Sequence, residues 1–455
     1  MTLPTTLPDA PWRHREGLDA LLAVLGADAG ETRFVGGCVR DTLLALPVTD
    51  IDLATRLAPE TVMARLAQAA IRSVPTGLAH GTVTALTAGG PVEVTTLRRD
   101  VSTDGRRATV SFTDDWREDA ARRDFTINAL SADPVSGALH DYFEGAADLA
   151  ERRVRFIGDP RVRIAEDHLR ILRFFRFHAR FGRGDPDAAG LAACTERAND
   201  LMALSRERIA DELLKILALP DPTATVALMI ARGIFAPVLP EIADAGPLAA
   251  SIAAERAAGV APDSLRRLAA LLPREPEVAA AFAARLRFSN KAAKRIAAAA
   301  GTDLEAPPRL AYAIGAAEAV DRFLLAGRPA DAAALAGWQR PHFPLTGGDL
   351  VALGLLPGPA VAALLQRLAR DWVAHDFAAD RSNLLQTAEA SIRSSPERGG
   401  RLSEIVSPGH DLDQPGADQS SNAAKPVEGA PRLPERVAGP LHHPSDGPPP
   451  RSGAD

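Results

Sequence analysis

Two aspartates, Asp50 and Asp52, begin ten residues after Arg40, which itself follows a Gly36-Gly37 pair. On an extended strand residues i and i+2 point the same way. Asp50-Ile51-Asp52-Leu53 therefore puts two carboxylates on one face and two apolar side chains on the other. Like charges held that close repel unless a cation lies between them. Mg2+ is the natural ion, hard and bound through one or two carboxylates together with substrate phosphates. In Gly36-Gly37-Cys38-Val39-Arg40-Asp41 the glycines let backbone N–H groups approach a phosphate, and the start of a helix adds a favourable dipole. Arg40 supplies a forked charge to the same phosphates. A third carboxylate, Glu93, lies in the alternating strand Pro91-Val92-Glu93-Val94-Thr95-Thr96 and completes a set suited to two-metal displacement at phosphorus. Asp50, Asp52 and Glu93 are the candidate catalytic residues, and Asp50 and Asp52 the candidate metal ligands.

The elements that must position these groups are mixed. Arg33–Gly36, Thr82–Thr87 and Val92–Thr96 read as strands, while Thr42–Leu46 and Pro59–Ala70 read as helices, with Pro59 suited to a first turn. From about Leu149 strand signals nearly vanish and alanine, leucine and arginine dominate, with stops such as Gly233, Pro240 and Gly259. The expected fold class is α+β, a mixed-sheet head followed by an all-helical remainder. The expected divisions are a head over 1–150, a neck over 151–220, a body over 221–340, a tail over 341–390 and a disordered extension over 391–455. That extension holds 11 of the 36 prolines and no aromatic residue, too little apolar area to offset its ordering entropy.

The 455 residues carry a net charge of −6, which argues against wholesale coating of nucleic acid but not against a local basic groove. Such a groove is written between Arg152 and Arg183, where ten arginines face three acidic residues for a local charge of +7. Only four of the 52 basic residues are lysines. Two cysteines, Cys38 and Cys194, exclude a disulfide scaffold and suit a reducing cytoplasm. The longest apolar run near the N-terminus, Leu21 to Gly26, is too short for a signal peptide or a membrane span.

Gly36-Gly37-x-x-Arg40-Asp41 followed by Asp50-x-Asp52 resembles the first motif of the nucleotidyltransferase superfamily that includes DNA polymerase beta. The resemblance is closer to one branch, the class II CCA-adding enzymes (tRNA nucleotidyltransferases) and the bacterial poly(A) polymerases. That branch is marked by Arg122-Arg123-Asp124-Phe125-Thr126-Ile127-Asn128-Ala129-Leu130, by Glu166-Asp167-x-x-Arg170-x-x-Arg173-x-x-Arg176, and by Ser205-x-Glu207-Arg208-Ile209 before Glu212-Leu213. The similarity runs over about residues 30 to 390. It implies a polymerase-beta-like head with a helical neck, body and tail. It also implies attack of an RNA 3′-hydroxyl on the α-phosphate of CTP or ATP, with pyrophosphate released and no covalent protein nucleophile.

By the same resemblance Gly36, Gly37 and Arg40 contact triphosphate, and Arg123, Asp124 and Asn128 lie at the nucleotide, the first two recognising its ribose. Asp167 and Arg170 read the base, with Arg173 and Arg176 continuing the arginine path. On an expected helix over Ile164–Arg180, Asp167 and Arg170 are three residues apart and so neighbours. A carboxylate beside a guanidinium accepts the amino group and donates to the ring nitrogen of either cytosine or adenine. Uracil and guanine set like against like, at roughly 1–3 kcal/mol per buried mismatch. Phe174, Phe175 and Phe177 are expected in the core. The run Gly77-Leu78-Ala79-His80-Gly81-Thr82-Val83-Thr84 is similar to the CCA-adding form rather than the poly(A) form.

Two segments of the helical half, Leu286–Asn290 and Leu345–Leu350, resemble tRNA-binding elements of the family. His140-Asp141, His375-Asp376 and His410-Asp411 lack the ligands of the appended phosphohydrolase domain some relatives carry. The loop Ser102–Asp119, with Asp104, Gly105, Arg106 and Arg107, resembles a flexible loop near the family active site. The expected substrate is the tRNA 3′ end with CTP and ATP, in the cytoplasm, without a membrane partner. Oligomeric state is not set by the sequence. Poly(A) addition, C-only or A-only addition, and a tRNA-binding protein with a dead site remain the alternatives.

Overall fold

The structure, a computed structural model, describes residues 3–103 and 108–394. Asp104–Arg107, and residues 395–455 of the expected disordered extension, lie outside the described residues.

Seven strands form the sheet of the head: β1 (Thr32–Val35), β2 (Asp52–Thr55), β3 (Arg72–Gly77), β4 (Thr82–Thr87), β5 (Gly90–Thr96), β8 (Ser131–Ala132) and β9 (Leu139–His140). Their order is β3-β4-β5-β2-β1-β8-β9, and β6 (Arg98–Thr103) pairs with β7 (Ala108–Phe112) in a separate ribbon. The ribbon and a following helix therefore occupy most of the segment expected as a loop over Ser102–Asp119. Alternation decides the two faces. Phe34, Leu53, Val83, Val92 and Val94 face a core they share with Leu18, Leu21, Val39, Val62 and Leu66. These belong to helices α1 (Leu18–Val24), α2 (Gly37–Leu43) and α3 (Pro59–Gln68). On the opposite face Val35, Ala54 and Leu97 pack under Trp116 of α4 (Trp116–Ala121). Asp52 and Glu93 alternate with buried neighbours and so belong to this second face.

One pairing fixes their relation. β2 and β5 run parallel, with Asp52 opposite Glu93. The expected helix over Thr42–Leu46 begins earlier, at Gly37, so that Arg40 and Asp41 lie inside it. Its register is set by burial of Cys38, Val39 and Leu43, and Pro47 follows its end. Pro59 does stand in the first turn of α3.

Beyond β9 the described residues add helices but no further strand. These include α5 (Gly145–Ala150), α6 (Pro160–Glu166), α7 (Arg170–Phe181), α8 (Ala188–Glu196) and α9 (Arg206–Leu217). The expected single helix over Ile164–Arg180 is broken. Asp167 is extended at φ −152°, ψ 106°, and α7 starts only at Arg170. Among the described residues no helix is long and apolar enough to cross a membrane.

α7 is what joins the halves. Ile171, Leu172, Phe174, Phe175, Phe177 and Phe181 are buried, as expected for the phenylalanines, while its arginines occupy the other side. Phe125, from the Arg122–Leu130 segment, meets Phe156 at 4.9 Å and Phe177 at 5.2 Å between centroids, and Phe156 stacks on Phe174 at 5.5 Å. Such rings contribute about 0.5–1.5 kcal/mol per pair beyond their buried area. On its far side, α7 is tied to α9 by Arg176, whose Nε donates to the buried carboxylate of Glu212 at 2.5 Å. Glu212→Ala strands the guanidinium, so chemical denaturation of that variant should show a loss of about 3–5 kcal/mol. A loss below about 1 kcal/mol would mean that Arg176 finds other partners or water.

Candidate active site

The chain enters the site at Gly36, whose φ of +67° only glycine adopts without strain. A Cβ there would also stand 2.9 Å from Nη1 of Arg123 and would push that guanidinium aside. From this turn Gly36, Gly37 and Arg40 line a cleft of about 540 Å³. Asp52 reaches it from β2, Arg123, Asp124 and Asn128 from the segment after α4, and Asp167, Arg170 and Arg173 from the junction of α6 and α7. The structure thus brings together nine of the ten expected nucleotide-binding residues with one of the expected catalytic carboxylates. Arg176 is the tenth, held away by Glu212.

A continuous hydrogen-bonded chain crosses this cleft. Arg180 Nη2 donates to Asp41 Oδ2 at 3.2 Å, and Arg40 Nε to Asp41 Oδ1 at 2.7 Å. Arg40 Nη1 donates in turn to Asn128 Oδ1. Asn128 Nδ2 donates to Asp124 Oδ1 at 2.9 Å, and Arg173 Nε to Asp124 Oδ2 at 2.7 Å. Arg40 also lies over the Phe181 ring at 4.0 Å. Burial pulls Arg40 down from its ordinary range, opposed by Asp41. Burial alone would raise Asp124, but Arg173 and the Asn128 hydrogen bond hold it below the usual carboxylate range.

Asp167 and Arg170 are not the helix neighbours that the sequence suggests. Both Asp167 oxygens accept from Arg208 Nη2, at 3.0 and 2.8 Å. Arg170 Nη1 donates to Glu166 at 2.5 Å and to the Arg163 carbonyl at 2.9 Å, and its Nη2 donates to the Arg122 carbonyl at 3.0 Å. The helix break sends the two groups to separate partners while leaving both on the cleft. Arg123 is steadied by Asp119, four residues before it, whose carboxylate also takes Arg122 Nε at 2.9 Å. Burial opposes charge on Asp119, but Arg123 and Arg122 keep it below the usual range. Arg98 and Asp119 are contributors that sequence reasoning did not single out, and Arg122 and Arg208 stood in quoted motifs without an assigned role. The four-residue spacing of Asp119 and Arg123 was a visible signal, whereas nothing in the sequence pairs Arg208 with a residue 41 positions away.

Asp52 and Glu93 stand side by side on parallel strands, near the ordinary strand spacing of about 4.8 Å. Burial, then the charge of Glu93, pushes Asp52 up to about 6, with Arg123 opposing and Asp50 adding to the rise. Asp50 itself is exposed, precedes β2, and accepts from the Thr49 hydroxyl at 3.0 Å. Among the described residues no group of three or more His, Cys, Asp and Glu side chains forms a closed metal cage. Adjacent carboxylates whose repulsion Arg123 relieves only in part, at the edge of a cleft lined with glycines and arginines, do fit a hard divalent cation completed by substrate oxygens.

Burial of Asp52, together with that repulsion, has a measurable cost. A carboxyl raised to about 6 disfavours the folded state above that pH by about 3 kcal/mol relative to its ordinary value. Asp52→Asn should therefore stabilise the metal-free protein at pH 8 by about 2–3 kcal/mol. The gain should shrink as pH falls from about 6 towards 4, where the aspartate is protonated in the folded state first, and vanish below. Thermal unfolding in chelator across this range is the check, and a pH-independent gain would contradict it.

Three comparisons bear on this geometry. Residues 32–155 match the family described as "Poly A polymerase head domain", and residues 187–245 match "Probable RNA and SrmB- binding site of polymerase A". The mitochondrial CCA tRNA nucleotidyltransferase 1 of Mus musculus is 34% identical over 403 residues, covering 84% of this chain and 92% of that protein. A CCA-adding enzyme of Streptococcus pyogenes is 42% identical over 203 residues, or 44% of this chain and 49% of that protein. The crystal structure of the Bacillus stearothermophilus CCA-adding enzyme in complex with CTP superposes with a TM-score of 0.66 at 26% identity, covering 83% of this chain and 98% of that one. With the Gly36–Arg40 turn, Asp52 and the Arg123–Asn128 segment on one cleft and Glu93 beside Asp52 on the next strand, these likenesses show that the chain belongs to the family of the CCA-adding tRNA nucleotidyltransferases.

Proposed function

We propose that this chain completes the 3′ end of tRNA by adding CMP and then AMP from CTP and ATP, without a nucleic-acid template. The observation that carries the reading is the convergence of Asp167 and Arg170 with Arg123, Asp124 and Asp52 on one cleft, since base, ribose and reacting phosphate must be held together. The solved CCA-adding relative bound to CTP supports it. The reaction is in-line attack of the RNA 3′-oxygen on the α-phosphorus, breaking the bond to the β-phosphate and releasing pyrophosphate.

In this reading the Gly36–Gly37 turn and Arg40 bind the triphosphate, and Arg123, Asp124 and Asn128 orient the ribose. Asp167 accepts the amino hydrogen of cytosine or adenine, and Arg170 donates to the neighbouring ring nitrogen. Asp50 and Asp52, with Glu93 beside them, would hold Mg2+, whose chemistry there is to lower the pKa of the attacking hydroxyl and to neutralise charge on the leaving pyrophosphate. Arg173 holds Asp124 in place from α7, and Arg176 carries the basic path towards α9. We divide the chain into head (1–150), neck (151–220), body (221–340), tail (341–390) and C-terminal extension (391–455), and read the location as cytoplasmic. Two buried free thiols, Cys38 and Cys194, support a reducing compartment.

The test is incorporation with tRNAs ending before CCA, after one C and after both, each triphosphate supplied separately with Mg2+. Addition of C, C and A followed by arrest is expected. Long A tails on unrelated RNA would assign a poly(A) polymerase, arrest after C or acceptance of A alone a partial enzyme, and tight tRNA binding without incorporation a dead site. Asp52→Ala should abolish incorporation. Arg170→Ala should lower kcat/KM for CTP and ATP and narrow the preference over UTP, each by roughly 10–100-fold, the loss of one or two buried charge-assisted hydrogen bonds.

A further inference from the structure

Residues 4–16 precede the 32–155 stretch that matches the head-domain family, yet they are tied to the head along their length. Thr6 forms an antiparallel bridge with Ala138, and the Leu7 N–H donates to the Gly137 carbonyl at 2.7 Å, beside β9. Arg13 donates to the Leu7 carbonyl at 3.2 Å and to the Pro134 carbonyl at 3.3 Å. Trp12 is buried against Phe34, at 4.8 Å between centroids, and its indole N–H donates to the Thr42 hydroxyl on α2 at 2.9 Å. The Glu16 carbonyl accepts from the Gly89 N–H at 2.8 Å, in the turn between β4 and β5. The segment is thus a strap, fixed to the head at β9, at α2 and at the β4–β5 turn.

One bond runs from this strap towards the carboxylates. Arg15 Nη2 donates to the Thr49 carbonyl at 2.9 Å, across 34 positions. Thr49 immediately precedes Asp50, and its hydroxyl donates to Asp50 Oδ2 at 3.0 Å. The segment that carries Asp50 has little else to hold it. It leaves α2 through Ala45, an exposed residue at φ +54°, a conformation that costs any side chain. The Leu46 N–H still bonds the Asp41 carbonyl at 2.8 Å, and the Ile51 carbonyl already accepts from Glu93 N–H at 3.0 Å. Between these two, among the described residues, the backbone of residues 47–50 makes one hydrogen bond, the one from Arg15. Packing does not replace it. A cavity of about 670 Å³ is lined by Pro8, Pro11 and Trp12 of the strap and by Leu46, Pro47 and Val48 leading to Asp50.

A carboxylate on so loosely held a segment must be ordered whenever it binds, and that ordering subtracts from affinity. Asp52, on β2, carries no such penalty, and Asp50 lies only two residues before it. We propose that Arg15 is a positioning residue for Asp50. Its bond to the Thr49 carbonyl anchors residues 47–50 to the strap and keeps the Asp50 carboxylate beside Asp52, ready for the ion the two would share. The inference rests on the proposed role of Asp50 as a metal ligand. Arg15 acts through the backbone alone, and the strap that holds it lies outside the residues matched by the head-domain family.

The experiment reads metal binding directly. Mn2+ replaces Mg2+, its free and bound fractions are measured by electron paramagnetic resonance, and α,β-methylene-CTP, which cannot release pyrophosphate, fills the nucleotide site. Arg15→Ala should weaken Mn2+ binding by about threefold to tenfold, the loss of one partly exposed hydrogen bond from a charged donor. Arg15→Lys keeps a donor and should recover part of the loss. Combined with Asp50→Asn, Arg15→Ala should cost little more than Asp50→Asn alone. In steady state, kcat for CTP addition by Arg15→Ala should fall at limiting Mg2+ and return at saturating Mg2+, with KM for tRNA unchanged. Unchanged or tighter Mn2+ binding by Arg15→Ala, or a loss additive with that of Asp50→Asn, would overturn the positioning role and leave the metal reading of Asp50 intact. Unchanged Mn2+ binding by Asp50→Asn would sink that reading, and the role of Arg15 with it.

Discussion

The cleft depends on one chain of polar groups, Arg180–Asp41–Arg40–Asn128–Asp124–Arg173, buried along its middle and partly exposed at its two arginine ends. Its members come from α2, from the segment after α4 and from α7, separated by as many as 139 positions in sequence. Sheet hydrogen bonds order the head and helix packing orders α7, but neither tells α7 where to sit over the Gly36 turn. The chain does, because each buried charge has a partner on another segment. Any sliding of α7 would leave a charged group unpaired, at a cost of several kcal/mol. The aromatic cluster of Phe125, Phe156, Phe174 and Phe177 supplies the apolar adhesion, and the polar chain supplies the register. The groups that bind substrate in the proposed reading are thus the groups that hold the site together before substrate arrives.

Arginine suits this arrangement because one guanidinium can serve several partners at fixed angles. Arg40 meets Asp41, Asn128 and the face of Phe181 at once, and Arg170 meets Glu166 and two carbonyls. A lysine ammonium, a point charge on a flexible stem, cannot reproduce either set. The excess of arginine over lysine thereby has a structural use in this segment. The net charge of −6 hides a division of labour in which basic walls surround a small acidic centre at Asp52 and Glu93.

Much of this was legible in the sequence, and the rest was hidden for physical reasons. β4 follows the alternation of Thr82–Thr87, and β5 extends the expected strand by two residues, because half-buried strands write their faces in period two. Nine nucleotide-binding candidates share the cleft because each lies in a contiguous motif. The parallel pairing that sets Asp52 against Glu93 was not legible, since a single sequence does not say which strands are neighbours. Neither was the pairing of Arg208 with Asp167, 41 positions away. The break at Asp167 was obscured by local pattern, as Ile164 to Arg180 carries apolar residues at helical spacing and no glycine or proline. Tertiary bonds to Asp167 and Arg170 override that propensity.

The break also answers a problem that the proposed base reading creates. On an unbroken helix Asp167 and Arg170 would lie three residues apart, close enough to pair with each other. A carboxylate and a guanidinium closed on each other would have to be separated before either could meet a base, and that cost would come out of the discrimination. Turning Asp167 into an extended conformation gives the aspartate to Arg208 and the arginine to Glu166. Each remains charged, oriented and facing the cleft, with hydrogen-bonding capacity left over. Arg208 and Glu166 act in this scheme as positioning residues, holding acceptor and donor on separate partners. The departure from regular helix at this one residue is then a condition for reading a base with protein side chains alone.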